Sequence, residues 1–331
     1  MRAWRVSRLG EPAEVMQLED VAVPEPGPNQ VQVRVRAAAG NFPDVLLCRG
    51  EYQVSPELPF TPGVELCGEV TAVGSAVTGL AQGDRVIGPA ALPSGAYAEQ
   101  ALMEAAVTFP APEGLDDTEA ASFCIAYQTG WFALHRRAAL RPGETVLVHA
   151  AAGGVGSAAV QLAKAAGATV VGVVGGPDKA EVARALGADV VVDRHTEDFV
   201  AVVKEVTEGR GADVVYDPVG GDTYRRSTKC IAFEGRIVIV GFAGGEIQQA
   251  ALNHALVKNY SILGLHWGLY NSKDPSAVRR CHEDLSALAA ERSVAPLVSE
   301  RLRLDEVADG LQRLADGTTV GRVALVGAMP T

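Results

Sequence analysis

The residues best placed to do chemistry in this 331-residue chain are glycines rather than a nucleophile or a metal-binding cluster. Ala150-Ala151-Ala152-Gly153-Gly154-Val155-Gly156 follows a short β-branched run, Thr145–His149, and precedes Ser157–Ala166, which is rich in small helix formers. Strand, glycine turn and helix in that order form the context of a dinucleotide-binding turn. Gly153 lets the backbone approach a pyrophosphate, and Gly156 lets the helix pack closely on the strand. The helix N-terminus, with Gly154 and Val155, offers N–H groups and partial positive charge to phosphates. Ala151 stands where the G-x-G-x-x-G pattern has its first glycine. An ordinary strand-to-helix turn would look the same, so the case rests on the elements around it.

Those elements repeat the unit. Strands are predicted at Thr169–Gly175, Asp189–Asp193, Ala212–Val219, Gly235–Phe242 and Tyr260–Trp267, with helices at Asp178–Leu186, Glu197–Glu208 and near Tyr224–Ile231. Continuous apolar strands alternating with helices argue for a parallel sheet covered on both faces. Phe242 and Trp267, at strand ends, would wall a bound ligand. The N-terminal grammar differs: Gln30–Arg36 alternates polar and apolar residues, and short strands at Gly63–Val73, Gly83–Ile87 and Ala96–Met103 lack intervening helices. That pattern suggests a small antiparallel barrel or sandwich. After Trp267 come two amphipathic helices, Pro275–Ala290 and Leu304–Leu314, and a last strand at Gly321–Val326. The fold expected is α/β, a β-rich domain (1–123 and 268–331) plus a doubly wound Rossmann domain (124–267), with a ligand cleft between the lobes.

A formal net charge of −11 opposes nonspecific binding to nucleic acid or anionic membrane. No apolar run approaches a membrane span, and the N-terminus lacks a signal-peptide core. Five dispersed cysteines without a C-x-x-C pair fit reduced thiols in the cytoplasm. His135, His149 and His195 show no recognisable spacing with Cys or Asp, and no Ser/Cys–His nucleophile signature is present.

The chain resembles the medium-chain dehydrogenases/reductases, and within them the zinc-free quinone oxidoreductases of the zeta-crystallin type. The likeness rests on Asn41-Phe42-Pro43-Asp44, Pro62-Gly63-Val64-Glu65, Gly83-Asp84-Arg85-Val86, the alanine–glycine turn, Gly241-Phe242-Ala243-Gly244-Gly245, Leu256-Val257-Lys258-Asn259 and Trp267-Gly268. It implies a GroES-like catalytic domain beside the Rossmann domain. Zinc-dependent relatives have a Cys where Asn41 stands and a His where Val64 stands, and Gly88–Tyr97 holds no cysteine for a structural site. Neither Asn nor Val is a useful zinc ligand, so no metal is expected. Asp44 and Glu65 are then read as caps or ion-pair partners within the β-rich domain.

NAD-selective folds carry an acid at the end of the second strand, which bonds the ribose 2′-OH. Here that place reads Gly172-Val173-Val174-Gly175-Gly176. Lys179 opens the next helix, a suitable place for an extra 2′-phosphate, with Asp178 read as that helix's cap. Arg194 occupies a position where similar reductases put a Tyr against the same phosphate. NADPH is therefore the cofactor expected. By resemblance, Thr129 contacts the nicotinamide end, and Asn41 sits on the loop facing it, able to donate and accept hydrogen bonds. Tyr52 lies in a segment that lines the substrate cleft in similar reductases, where its phenol could stabilise an oxyanion. The activity expected is hydride transfer to a quinone or enone. The alternatives are reduction of an enoyl thioester or haloacrylate, or NADPH binding without catalysis. A homodimer through the apolar edge strand Ser261–Trp267 is also expected.

Overall fold

A computed structural model of the chain describes residues 1–327. They form two compact units, residues 1–125 with 282–327, and residues 126–281.

The second unit is built on six parallel strands in the order Val190–Asp193, Thr169–Val174, Thr145–His149, Ala212–Asp217, Ile231–Ile239, Ser261–Gly264. In chain order this is 3-2-1-4-5-6, the doubly wound dinucleotide-binding arrangement. All five residues of Thr145–His149 are buried, as a central parallel strand covered on both faces requires. The helices Gly154–Ala165, Pro177–Ala185, Phe199–Val206 and Gly221–Ser227 lie close to where the sequence pattern puts them: the first two begin earlier than read, the third is shortened at both ends, and the fourth ends before Ile231, which opens a strand. Leu147, Val171, Val173, Val192, Phe199, Val203, Val215 and Ile237 meet in one core. The sixth strand is shorter than expected: pairing stops at Gly264, and Trp267 instead opens a 3-10 turn, Trp267–Leu269.

The first unit centres on the strand Gln30–Ala39, which pairs antiparallel with Glu65–Val73, Gln100–Glu104 and Arg322–Val326. Arg85–Pro89 and Phe109–Pro110 extend one side. The antiparallel pairing expected of the N-terminal strands is found, and the C-terminal return adds a strand that the sequence reading lacks. Val298–Leu302 joins Arg322–Val326 in parallel, and the helix Val307–Ala315 lies between them in the chain. A parallel pair needs such a crossover, so these two strands read in the sequence as an isolated helix and one strand. An N-terminal hairpin, Arg2–Val6 with Met16–Asp20, also has no counterpart in the sequence reading.

One further correction concerns Asn41. It is the N-cap of an eight-residue helix, Phe42–Arg49, rather than part of an open loop. Pro43 sits in the first turn, where its missing N–H costs nothing, and Gly50 closes the helix in the left-handed region at φ 72°. Asp44, Val45, Leu47 and Cys48 are all buried, so the segment lacks the apolar stripe that reveals a helix.

Candidate functional site

The parallel sheet brings the turns after its strands to one edge, because every strand there ends in the same direction. After Thr145–His149, Gly153 is the N-cap of the helix Gly154–Ala165, in extended backbone at φ −88° and ψ 176°. A Cβ added at Gly156 would lie 2.1 Å from the Ala150 carbonyl oxygen and 2.7 Å from its carbon. Only glycine fits there, which is the close helix–strand contact read from the sequence. The first N–H groups of the helix have no intrahelical acceptor and open on the turn, as a pyrophosphate cradle requires.

The neighbouring strand adds a turn that sequence reasoning missed. Val214 pairs with Val146, so Asp217-Pro218-Val219-Gly220-Gly221 lies level with the glycine turn. Asp217 is buried, and its Oδ1 accepts from the N–H groups of Val219 and Gly220, each at 2.9 Å. Burial raises its carboxyl, while these two bonds oppose the rise. Gly220 and Gly221 take φ of 76° and 54°, so the chain reverses tightly over the carboxylate. The signal was an acid at a strand end followed by a glycine pair.

On the other side of the central strand, Asp193 pairs with Val174, which sets Arg194 and His195 against Gly175. A Cβ at Gly175 would lie 3.0 Å from both Arg194 Nε and His195 Nε2. Asp193 Oδ1 accepts from Gly176 N (3.0 Å) and His195 N (3.1 Å). Lys179 is near enough that Arg194 adds to burial in lowering its ammonium from the usual value. The helix after Gly175 is capped by Gly176, not by Asp178, which lies in the first turn. His195, which shows no telling spacing in the sequence, is set against Gly175 by the pairing of the two neighbouring strands. Thr129 is buried in the helix Cys124–Trp131, beside Gln128, whose Oε1 accepts from Trp267 Nε1 at 3.0 Å. Phe242, beyond the end of Ile231–Ile239, is 39% exposed.

In the first unit, strand register gathers a second group. Ala39 pairs with Ala324, and Ala38 with both Leu325 and Leu66, so Asn41, Glu65 and Arg322 meet at one end of three adjacent strands. Arg322 is 4% exposed and Glu65 0%. Arg322 Nη2 donates to Glu65 Oε1 and, at 3.0 Å, to Asn41 Oδ1. Asn41 Nδ2 donates to Glu65 Oε1 (3.2 Å) and the Ala39 carbonyl (3.3 Å). Both amide hydrogens of Asn41 are thus spent inside the unit, leaving only one acceptor lone pair on Oδ1. Glu65 Oε2 accepts from Ile125 N at 2.7 Å. Burial raises the Glu65 carboxyl, with Arg322 as the main opposing influence.

Asp44 lies below this group. Its oxygens accept from the N–H groups of Asn41, Gly63 and Val64, and from the Tyr97 hydroxyl, at 2.9–3.0 Å. Burial pushes its carboxyl up to about 7 against these donors. Tyr52 packs half-buried against the same core, and burial together with Asp44 raises its phenol, which therefore stays protonated at neutral pH. Asp44 and Glu65 do cap and pair within the domain.

This fold and these turns define a two-domain dinucleotide-dependent oxidoreductase, and comparison with known proteins agrees. Residues 27–113 match the alcohol dehydrogenase GroES-like domain, and residues 154–283 the zinc-binding dehydrogenase family. A quinone oxidoreductase-like protein 2 homolog of Nematostella vectensis is 39% identical over 326 residues, 98% of this chain and 88% of that one. A quinone oxidoreductase of Pseudomonas aeruginosa is 36% identical over 95% of this chain and 96% of that one. The crystal structure of Escherichia coli quinone oxidoreductase complexed with NADPH superposes with a TM-score of 0.91, at 31% identity, covering 98% of this chain and all of that one. The chain belongs to the quinone oxidoreductase family of the medium-chain dehydrogenases/reductases and is an oxidoreductase.

One of the matched families carries zinc in its name, and the residues here do not fit that metal. Asn41 and Val64 are not zinc ligands, and the carboxylate of Glu65 is already held by a guanidinium. Among the described residues, no three His, Cys, Asp or Glu side chains come together as a metal site. Nor is any helix among them long and apolar enough to cross a membrane.

Proposed function

We propose that the protein reduces a quinone or another conjugated carbonyl with NADPH, and that it does so without zinc. The observation that carries this reading is the Arg322 guanidinium beside Glu65 and Asn41, at the place where a catalytic metal would need its ligands. Without a Lewis acid a simple alcohol or ketone is hard to activate, whereas a conjugated acceptor is already activated. NADPH, when bound, supplies the hydride. Gly153, Gly154, Val155 and Gly156 would hold its pyrophosphate, and Gly175, Lys179 and Arg194 its 2′-phosphate. Thr129, Phe242 and Trp267 would orient the nicotinamide end, with Gln128 fixing the Trp267 indole. Tyr52, kept protonated, donates to the acceptor oxygen as negative charge develops. Asn41 keeps a reduced role, accepting one hydrogen bond while Arg322 locks its amide.

We also assign a homodimer. Among the described residues, the strand Ser261–Gly264 has a neighbour on one side only, and the helix Leu252–Lys258 beside it in sequence buries none of its residues. Five free, buried cysteines suit the reducing cytoplasm.

Steady-state assays with NADPH against quinones, enones and enoyl-CoA test the function, in buffer with and without chelator. Turnover with quinones that survives chelation, in protein free of stoichiometric zinc, is the expected result. Turnover confined to enoyl-CoA would move the substrate class. Cofactor binding with no oxidation by any acceptor would make the protein a binding protein, and zinc near one per chain would overturn the metal-free assignment.

A further inference from the structure

The helix Cys124–Trp131 carries Thr129, and the residues around Thr129 reach two different elements. The Tyr127 hydroxyl donates to Gln161 Oε1 at 3.1 Å, on the helix Gly154–Ala165 that starts at the glycine turn. A Cβ added at Gly130 would lie 2.7 Å from Leu162 Cδ1 of that same helix, so glycine permits the close approach. Tyr127 and Gly130 are three apart and share this face. Gln128 and Phe132, four apart, turn to another segment. Gln128 Oε1 accepts from Trp267 Nε1 at 3.0 Å, and the Phe132 ring centroid lies 4.2 Å from that of Tyr270. Phe132 opens a π turn, Phe132–Arg137, that continues the helix. Turns of this kind are rare and concentrate at functional sites. The short stretch from Trp267 to Tyr270 is thus held at two points by a helix that is itself fixed to the glycine-turn helix.

Gln128 makes its contact at a cost to folding. An indole N–H only donates, so the glutamine must present its oxygen to Trp267 and turn its amide nitrogen elsewhere. That nitrogen is buried and has no hydrogen-bond partner among the described residues, and the whole side chain is 0% exposed. A buried donor left unmade is destabilising, whereas an apolar side chain of similar size carries no such penalty. Trp267 is only half-buried, so its N–H does not depend on a buried acceptor. Stability gives no reason for a glutamine here, and the placement of Trp267 does.

We propose that Gln128 is a positioning residue for hydride transfer. It locks Trp267 to the helix bearing Thr129, with Phe132 and Tyr270 as the second point of the clamp, and so keeps the nicotinamide end in a fixed relation to the pyrophosphate end. This rests on the NADPH reading above, in which Thr129 and Trp267 orient the nicotinamide. A ring misplaced by about 1 Å slows transfer steeply, while the far end of the cofactor binds as before.

Gln128→Met tests this, with Trp267→Phe and the double variant as the other corners of a cycle. Each protein is measured for its single-turnover rate of NADPH oxidation by a quinone, for calorimetric binding of 2′,5′-ADP, and for its urea midpoint by circular dichroism. In Gln128→Met the single-turnover rate should fall roughly tenfold, the upper end for one neutral hydrogen bond. Binding of 2′,5′-ADP, which lacks the nicotinamide, should stay within about twofold of the wild type, as for independent sites. The urea midpoint should not fall, because the variant also removes the orphaned amide. The double variant should react no more slowly than Trp267→Phe alone, since the bond is already gone in that single variant. A rate within about twofold of the wild type in Gln128→Met, a midpoint that drops with the rate, or fully additive losses in the double variant would each overturn the positioning role. A wild type that binds 2′,5′-ADP yet reduces no acceptor would remove the function reading itself, and this proposal with it, a result that the variants alone do not give.

Discussion

Arg322→Met tests whether the buried guanidinium organises the first unit. Methionine keeps much of the volume but leaves Glu65, which is 0% exposed, without its counter-charge. It also takes the donor away from Asn41 Oδ1. Breaking a buried pair by removing one partner costs about 3–5 kcal/mol, because the remaining charge is stranded. Two neutral donors, Ile125 N and Asn41 Nδ2, still reach the carboxylate, so the lower part of that range is expected. Glu65→Gln with Arg322→Met removes both charges and should recover to within about 1–2 kcal/mol of the wild type. Trp4 reports on this unit, since it is buried and donates to the Leu304 carbonyl at 2.6 Å. With Trp131 and Trp267 replaced by Phe, urea unfolding followed by Trp4 fluorescence reads the loss. The deficit of the single variant should shrink toward pH 5, because its stranded Glu65, with a folded pKa above the unfolded one, can take up a proton. A loss below about 1 kcal/mol, or a double variant no better than the single, would refute the argument.

Asp44 makes a second pH prediction. Its folded pKa, about 7, lies above the ordinary 3.8, so the folded state holds the extra proton between those values. Its contribution to stability is fully present at low pH and is lost as pH rises through about 7. The urea midpoint of the wild type should therefore fall relative to Asp44→Asn between pH 5 and 8, and parallel curves would contradict it. Lys179→Ala and Arg194→Ala should each weaken NADPH by about 1.5 kcal/mol more than NADH, at the lower end for charge-assisted bonds because Arg194 is exposed. Fluorescence titration with both cofactors measures this, and equal losses would count against the assignment. Light scattering at micromolar concentration should give a dimer mass that Leu256→Lys reduces, since Leu256 is 77% exposed on a helix that buries nothing. A monomer in the wild type, or an unaffected dimer in the variant, would locate no interface there.

The sequence by itself determined the parallel sheet. Continuous apolar strands such as Thr145–His149 can only be covered on both faces, and the spacing of strand and helix leaves little choice of topology. It also determined Gly156, because a glycine between strand and helix reports a contact that no Cβ permits. Local signals of this kind survive in the order of residues. The tertiary structure alone decided what strand register brings together. Arg322 lies 257 residues from Glu65, and nothing in its own surroundings marks it as the partner of a buried acid. Asn41 looked like a loop residue with a free amide, yet the neighbouring strands consume both of its amide hydrogens. His195 carried no signal because its place against Gly175 follows from the pairing of Asp193 with Val174. A group recruited across strands is set by pairing, and pairing is a long-range choice that the whole fold makes at once.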